Sequence, residues 1–307
     1  MIEIDRLTFR YPGADADALG ELSLTVREGG LFGLLGPNGS GKTTLVSILS
    51  GILPAPRGRV RVGGEDLAAN TARIQSFSSL VPQEYAFYPR LTVVENLRFF
   101  AGVQSIPTGE VRSRMDEVLE ISGLQDARRR RAEHFSGGMK RRLNFAIGML
   151  NRPRLLFLDE PTVGIDPQSR AFILESVKRV NRQGTTVIYT SHYMEEVEAL
   201  CDEIGVLDHG HLLVQGSLAS LLAGSGGNRA RGSFAAPLDA PQRAALAAVP
   251  GIELRDGEWS VERCTESDFH RLLELFRDRR IALRNVQFGH GNLEELFLHM
   301  THRSLRD

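Results

Sequence analysis

Apolar positions along this chain keep three different rhythms. The opening MIEIDRLTFRY alternates apolar and polar residues, the mark of a half-buried strand. Leu31–Leu35, Leu155–Leu158 (LLFL) and Thr186–Tyr189 (TVIY) are instead short runs apolar on both faces, each closing on polar residues. Runs of that length suit a buried parallel sheet with helices packed on it. A Gly-rich turn follows the first run and predicts a helix over Lys42–Leu49. From about Val93 to Leu150 the rhythm becomes helical, with periodic apolar positions in MDEVLEISGL and MKRRLNFAIGML.

The pattern breaks at AGSGGNRARGS, residues 223–233, where Gly, Ser and Arg without apolar periodicity predict a linker between a first domain, 1–222, and a second, 234–307. Around and beyond it the pattern predicts a strand (Arg231–Ala235), a helix (Pro241–Ala248) and a hairpin, IELRDGEWSVERC, turning at Asp256-Gly257. A helix (Ser267–Arg279), a strand (Ala282–Phe288) and a last helix (Leu293–Thr301) complete it, with Asn292 and Glu295 spaced as a capping box. This β-α-β-β-α-β order predicts a small ferredoxin-like α+β module. Trp259, in the hairpin, reads as core rather than as a ligand site.

Composition narrows the class. The 307 residues are 42% apolar and 24% charged with a formal net charge of −1, as in ordinary soluble globular proteins. That balance gives no support for a nucleic-acid binder driven by bulk charge, and no nucleic-acid partner is expected. Cys201 and Cys264 stand far apart, with no metal spacing and no disulfide framework, which points to a reducing cytosol. The opening segment reads as a strand rather than a secretion signal, and no apolar run is long enough to span a membrane.

Gly36-Pro37-Asn38-Gly39-Ser40-Gly41-Lys42-Thr43 fits G-x-x-x-x-G-K-[ST] between a strand and a helix. Its glycines let successive N–H groups converge on β- and γ-phosphates, Lys42 adds a point charge, and the Thr43 hydroxyl is a ligand for Mg²⁺. LLFLDEP ends a buried run on Asp159, placed to hold the metal, and Glu160, which then faces the γ-phosphate and orients or deprotonates water. The bland alternative makes Glu160 a polar strand end. Gln83, in LVPQEY, and His192, in YTSHYMEE, are weak signals alone, as consistent with solvated or structural residues as with catalytic ones. HFSGGMKRR, residues 134–142, is a second phosphate cradle: Ser136 caps a helix whose free N–H groups and dipole favour an anion.

Taken in order, these motifs make residues 1 to about 222 resemble the ATP-hydrolysing subunit of ABC transporters. The resemblance implies a P-loop fold with a parallel-sheet core, N-terminal antiparallel strands and a helical subdomain at about 93–150. Tyr11 matches the aromatic that stacks on adenine, residues 36–44 (ending at Thr44) the Walker A loop, and Gln83 the Q-loop, with Gln83 reaching metal or attacking water. Residues 135–139 match the signature, 155–160 Walker B, Val163–Pro167 the D-loop and His192 the switch histidine. It further implies a head-to-tail homodimer in which Ser136, Gly137, Gly138 and Asp166 serve the ATP held by the partner's Walker A loop. Phe135 and Met139 depart from the commonest signature, LSGGQ, and leave its Ser-Gly-Gly core intact.

NLEELFLHMT (292–301) with SHYMEEVEALCD resembles the ABC-2 exporter branch, which includes daunorubicin-resistance and nodulation-factor export subunits. That resemblance implies separately encoded membrane subunits docking near Glu84–Phe100, and a place at the cytoplasmic face of the membrane. Tyr85, Phe87 and Tyr88 there are anchor aromatics or core. The run Arg128–Arg131 reads as a solvated helix end or loop, with lipid headgroups as the alternative. The rival function is a soluble ABC-type ATPase in repair, chromosome organisation or translation.

Overall fold

The computed structural model describes residues 1–55, 59–224, 228–290 and the positions 293, 294, 296 and 297. Apart from those last positions, the expected helix over Leu293–Thr301 and its Asn292–Glu295 capping box lie outside the described residues. The chain divides into two compact units, with the boundary between Gly216 and Ser217.

The first unit opens with strands β1 (Ile2–Phe9), β2 (Leu19–Val26) and β3 (Leu31–Leu35), then helix α1 (Lys42–Leu49). Strands β4 (Val60–Val62) and β5 (Glu65–Asp66), helix α2 (Leu67–Phe77) and strand β6 (Ser78–Val81) follow. The helical stretch holds α3 (Val93–Val103), α4 (Thr108–Ser122) and α5 (Gly137–Met149). Then come β7 (Leu155–Asp159), α6 (Pro167–Arg182), β8 (Thr186–Ser191), α7 (Met194–Leu200), β9 (Glu203–Asp208) and β10 (His211–Ser217).

A four-stranded sheet, β2-β1-β4-β5, covers one side of a core that also receives α1 and the central sheet. The alternation of β1 slips at Arg6, whose φ of +43° accompanies a register shift between Ile4 and Leu7. That bulge re-phases the strand, so Leu7 is buried beside Ile2 and Ile4. The central sheet has the order β10-β9-β3-β8-β7-β6, with β9, β3, β8, β7 and β6 paired in parallel. Every residue of β3, β7 and β8 is buried, as the two-faced apolar runs predict. Register brings the carboxyl ends together: Val81 lies beside Leu158, Asp159 beside Thr190 and Leu35 beside Ser191. The loops that leave this edge carry the candidate chemistry, where open α/β sheets bind ligands.

In the helical stretch, Thr92 and Glu95 close a capping box on α3, Ser136 caps α5, and Asp166 with Pro167 starts α6. The core of this stretch includes Leu97, Leu119, Leu143 and Phe145.

The second unit holds α8 (Leu218–Gly224), β11 (Asn228–Phe234), α9 (Ala240–Ala247), β12 (Ile252–Arg255), β13 (Glu258–Val261), α10 (Glu266–Asp278) and β14 (Leu283–His290). Its sheet runs β12-β13-β11-β14, antiparallel throughout. Asp256 and Gly257 both take positive φ, +44° and +85°, as a two-residue hairpin turn requires. Trp259 is buried, 4.9 Å from Phe276, in a core with Phe234, Leu246 and Leu272. Of the linker expected over 223–233, residues 225–227 lie outside the described residues, and 228–233 differ from that expectation. Residues 228–234 are a central strand, and the unit boundary falls earlier, after Gly216. A Cβ on Gly232 would lie 2.3 Å from the Asn285 carbonyl oxygen and 2.8 Å from Trp259 Nε1. It is small because of packing, not because the chain must flex.

Candidate active site

The loop after β3 is shaped by close backbone approach. A Cβ on Gly36 would sit 2.2 Å from the Leu207 carbonyl oxygen, and Gly41 turns into α1 at φ +107° against the Ala18 carbonyl oxygen. Helix α1 therefore starts with no side-chain cap and no acid in its first turn, leaving N–H groups and a positive dipole end free for an anion. Asn38, Gly39 and Thr43 are exposed, while Ser40 is buried with a hydroxyl that finds no partner. Tyr11 stands at the margin, its hydroxyl 3.1 Å from Thr44 Oγ1 and its ring edge-on to Phe9.

Lys42 folds back over this loop. Its Nζ donates to the carbonyl oxygens of Gly36 (2.8 Å) and Pro37 (3.0 Å) and lies 3.2 Å from Glu160 Oε1. Burial lowers the Lys42 pKa, and the carboxylates of Glu160 and Asp159 oppose that shift. Glu160 is 5% exposed and sits at φ +45°, a conformation that side-chain-bearing residues seldom adopt. Its N–H donates to Thr190 Oγ1 (3.0 Å), and the Thr190 hydroxyl donates to Asp159 Oδ1 (2.7 Å). One hydroxyl from β8 thus orients both acids, and the strained turn aims the Glu160 carboxylate at Lys42.

Glu160 Oε2 meets the two weaker candidates. Gln83 Nε2 donates to it at 3.3 Å, and His192 Nδ1 lies 3.4 Å away, close but not aligned for a hydrogen bond. Lys42, Gln83, Glu160 and His192 are therefore one cluster, with Asp159 beside it. Reading Glu160 as an idle strand end does not fit a carboxylate with three such neighbours.

The signature residues form a second locus. Ser136 Oγ accepts from Met139 N–H (3.3 Å), and the first turn of α5 carries no acid. A Cβ on Gly138 would fall 1.9 Å from Ser169 Oγ, so this helix start packs directly on the cap of α6. Asp166, which makes that cap, accepts from Ser169 N–H (2.9 Å) and Ser169 Oγ (2.7 Å), which hold its carboxyl below the usual range. Among the described residues none of these groups bonds to the Gly36–Thr44 loop. Phe135 fills a buried site under the Arg130 guanidinium.

The aromatics of the Glu84–Phe100 stretch divide, with Phe87 and Phe100 half-buried. Tyr85, Tyr88 and Phe99 are exposed, and Phe99 meets Tyr88 edge-on at 4.8 Å. The Arg128–Arg131 run is solvated, with Arg128 near Asp116 and Arg131 near Glu133.

Three polar residues escape sequence reasoning. Thr190 ends an apolar run and looks unremarkable until register sets it beside Asp159. Glu196 is buried and accepts from Thr162 Oγ1 (2.7 Å), Tyr189 Oη (2.8 Å) and Ser191 Oγ (3.2 Å), tying the segment after Glu160 to the one before His192. Arg141, on α5, is the third.

A family model for the ABC transporter matches residues 19–163. The chain is 42% identical over 292 residues to the linearmycin resistance ATP-binding protein of Bacillus subtilis (strain 168), covering 93% of this chain and 94% of that protein. It is 34% identical to a daunorubicin resistance ATP-binding protein of Streptomyces coeruleorubidus, over 98% of this chain and 95% of the relative. Identity to the Nod factor export ATP-binding protein I of Ralstonia nicotianae is also 34%, over 100% and 95%. A solved ATP-binding subunit of an ABC transporter overlays with a TM-score of 0.64 at 26% identity, over 72% of this chain and 91% of that one. A dimeric ATP-binding cassette in a post-hydrolysis state with ADP and Pi shares the fold, with a TM-score of 0.65 at 23% identity over 71% and 99%.

The fold and the cluster define a P-loop ATPase, with its phosphate loop and two acids on one sheet edge. The chain belongs to the ABC transporter family, as an ATP-binding and ATP-hydrolysing subunit of the ABC-2 exporter branch. These relatives favour that function over a soluble ABC-type ATPase. Among the described residues no helix is long and apolar enough to cross a membrane.

Proposed function

We propose that this chain powers export by closing a head-to-tail homodimer on two ATP molecules and reopening it on hydrolysis. The carrying observation is that Lys42, Gln83 and His192 converge on the Glu160 carboxylate. Residues 36–44 wrap the phosphates, Lys42 neutralises the β- and γ-oxygens, and the exposed ring of Tyr11 stacks on adenine. Thr43, Asp159 and Gln83 offer hydroxyl, carboxylate and amide oxygens, the hard donor set that suits Mg²⁺. Mg²⁺ in that set supplies charge neutralisation at the transferring phosphoryl group. Glu160 takes the proton of the attacking water, and Gln83 and His192 hold that water in line. Ser136, Gly137 and Gly138 bind the γ-phosphate of the partner's ATP through the free N–H groups of α5, beside Asp166.

The exposed aromatics Tyr85, Tyr88 and Phe99, with half-buried Phe87 beside them, receive a cytoplasmic segment of separately encoded membrane subunits, which puts the chain at the cytoplasmic face of the membrane. We also read the second unit as ferredoxin-like, from its β-α-β-β-α-β order and its strand order.

The test is Glu160→Gln. The variant should lose hydrolysis, retain ATP binding and run as a stable ATP-dependent dimer on gel filtration. Hydrolysis at the parent rate would overturn the assignment. Phe87→Asp or Tyr88→Asp should leave folding intact and release the membrane subunits in co-purification from host membranes; full retention would move the docking surface elsewhere.

A further inference from the structure

Arg141 is buried, at 4% exposure, and no carboxylate pairs with it among the described residues. Its guanidinium Nη1 donates to the Gln83 carbonyl oxygen, and Nη2 donates to the Val163 carbonyl oxygen at 3.1 Å. Its Cζ lies 5.0 Å from the centre of the Tyr85 ring, and the Tyr85 hydroxyl donates to the Gly137 carbonyl oxygen at 3.4 Å. One turn further on, Asn144 accepts from Ala86 N–H and donates to the carbonyl oxygens of Pro82 and Glu84.

Helix α5 therefore carries Ser136 at its tip and the loop of Gln83 on its flank. Asn144 secures the loop alone, whereas Arg141 also grips the segment that links Glu160 to Asp166. Burying an unpaired cation is unfavourable, and an apolar side chain would fill the same space without that penalty. A planar fork that fixes the spacing of two carbonyl oxygens is what an apolar residue, or an ammonium, lacks.

We infer that Arg141 is a positioning residue that makes the γ-phosphate contact at Ser136 and the placement of Gln83 and Val163 a single movement. The inference rests on the roles proposed above for Ser136 and Gln83. A phosphate seated on α5 fixes the helix, and through Arg141 it fixes both the loop facing the attacking water and the loop entering the dimer interface.

The test uses the full chain carrying Arg141→Met. Expected are a kcat about 10- to 100-fold lower, from misplacement of groups that do not themselves leave the site, and loss of cooperativity in ATP. Binding of a fluorescent ATP analogue to the Walker A loop should stay within about twofold of the parent. Arg141→Lys, which keeps the charge and loses the planar fork, should leave kcat similarly low with analogue binding unchanged. The inference is overturned if Arg141→Met keeps kcat within about twofold, or if kcat and analogue binding fall together, as loss of a merely structural residue would cause. Should Arg141→Met fail to fold, Arg141→Lys is judged by the same split. A Glu160→Gln protein that still hydrolyses ATP would instead sink the site reading itself. An inactive Glu160→Gln beside a fully active Arg141→Met would sink only the coupling.

Discussion

Thr190→Val removes one hydroxyl and almost no volume, so its cost comes from two hydrogen bonds. The first is donated to the Asp159 carboxylate at 2.7 Å, and bonds to charged groups contribute about 1.5–3 kcal/mol. The second is accepted from the Glu160 N–H at 3.0 Å, a donor that valine leaves buried and unpaired at about 1–3 kcal/mol. Both partners are at most 5% exposed, so water offers little replacement. The expected loss is about 2.5–6 kcal/mol, and at about 2–4 °C per kcal/mol for a unit of this size the melting point falls by roughly 5–24 °C. Activity should fall further than stability explains. The peptide that holds Glu160 at positive φ loses its tether, and misplacing an acid by an ångström costs about 100-fold. Differential scanning calorimetry and a phosphate-release assay below the melting point measure the two effects separately. Thr190→Ser, which keeps the hydroxyl, should restore both. A valine variant that melts within about 1 °C of the parent and turns over ATP unchanged would refute the two-bond argument.

Gly138→Ala drives a methyl into Ser169, and overpacking of this kind costs about 1–3 kcal/mol. Melting should fall accordingly, and Ser169→Gly in the same chain should recover part of the loss; no recovery would mean the clash is relieved elsewhere. The depressed Asp166 carboxyl gives stability that is complete above its unfolded value near pH 4 and is lost as pH falls through its lower folded value. Asp166→Asn, still a capping residue, should therefore flatten the acid limb of the melting-temperature profile. An unchanged limb would show that the cap does not titrate with folding.

The parts of the fold that apolar rhythm dictates were legible. β3, β7 and β8 are buried on both faces, so their runs carry no polar interruption. The phosphate loop and the acids were legible because their chemistry needs fixed residue types at fixed spacing. Thr190 and Arg141 were not, because a polar residue inside a buried segment announces its role only when register and helix packing supply its partners. The linker misreading has the same origin. Gly232 and its neighbours look like flexible chain until Asn285 and Trp259 are brought against them.

The strand order also governs when the molecule becomes competent during synthesis. β3, which launches the phosphate loop, is flanked by β8 and β9, so it has no neighbour until Thr186–Ser191 has been made, and its second arrives only with Glu203–Asp208. A ribosome-bound chain that stops short of Thr186 carries an apolar strand with no partner on either edge. Loop closure across such separations is slow, and unpaired strands invite association. Refolding in vitro should accordingly be slow and concentration-sensitive. In the cell, the phosphate loop of a nascent chain stays incomplete until nearly the whole first unit has left the ribosome.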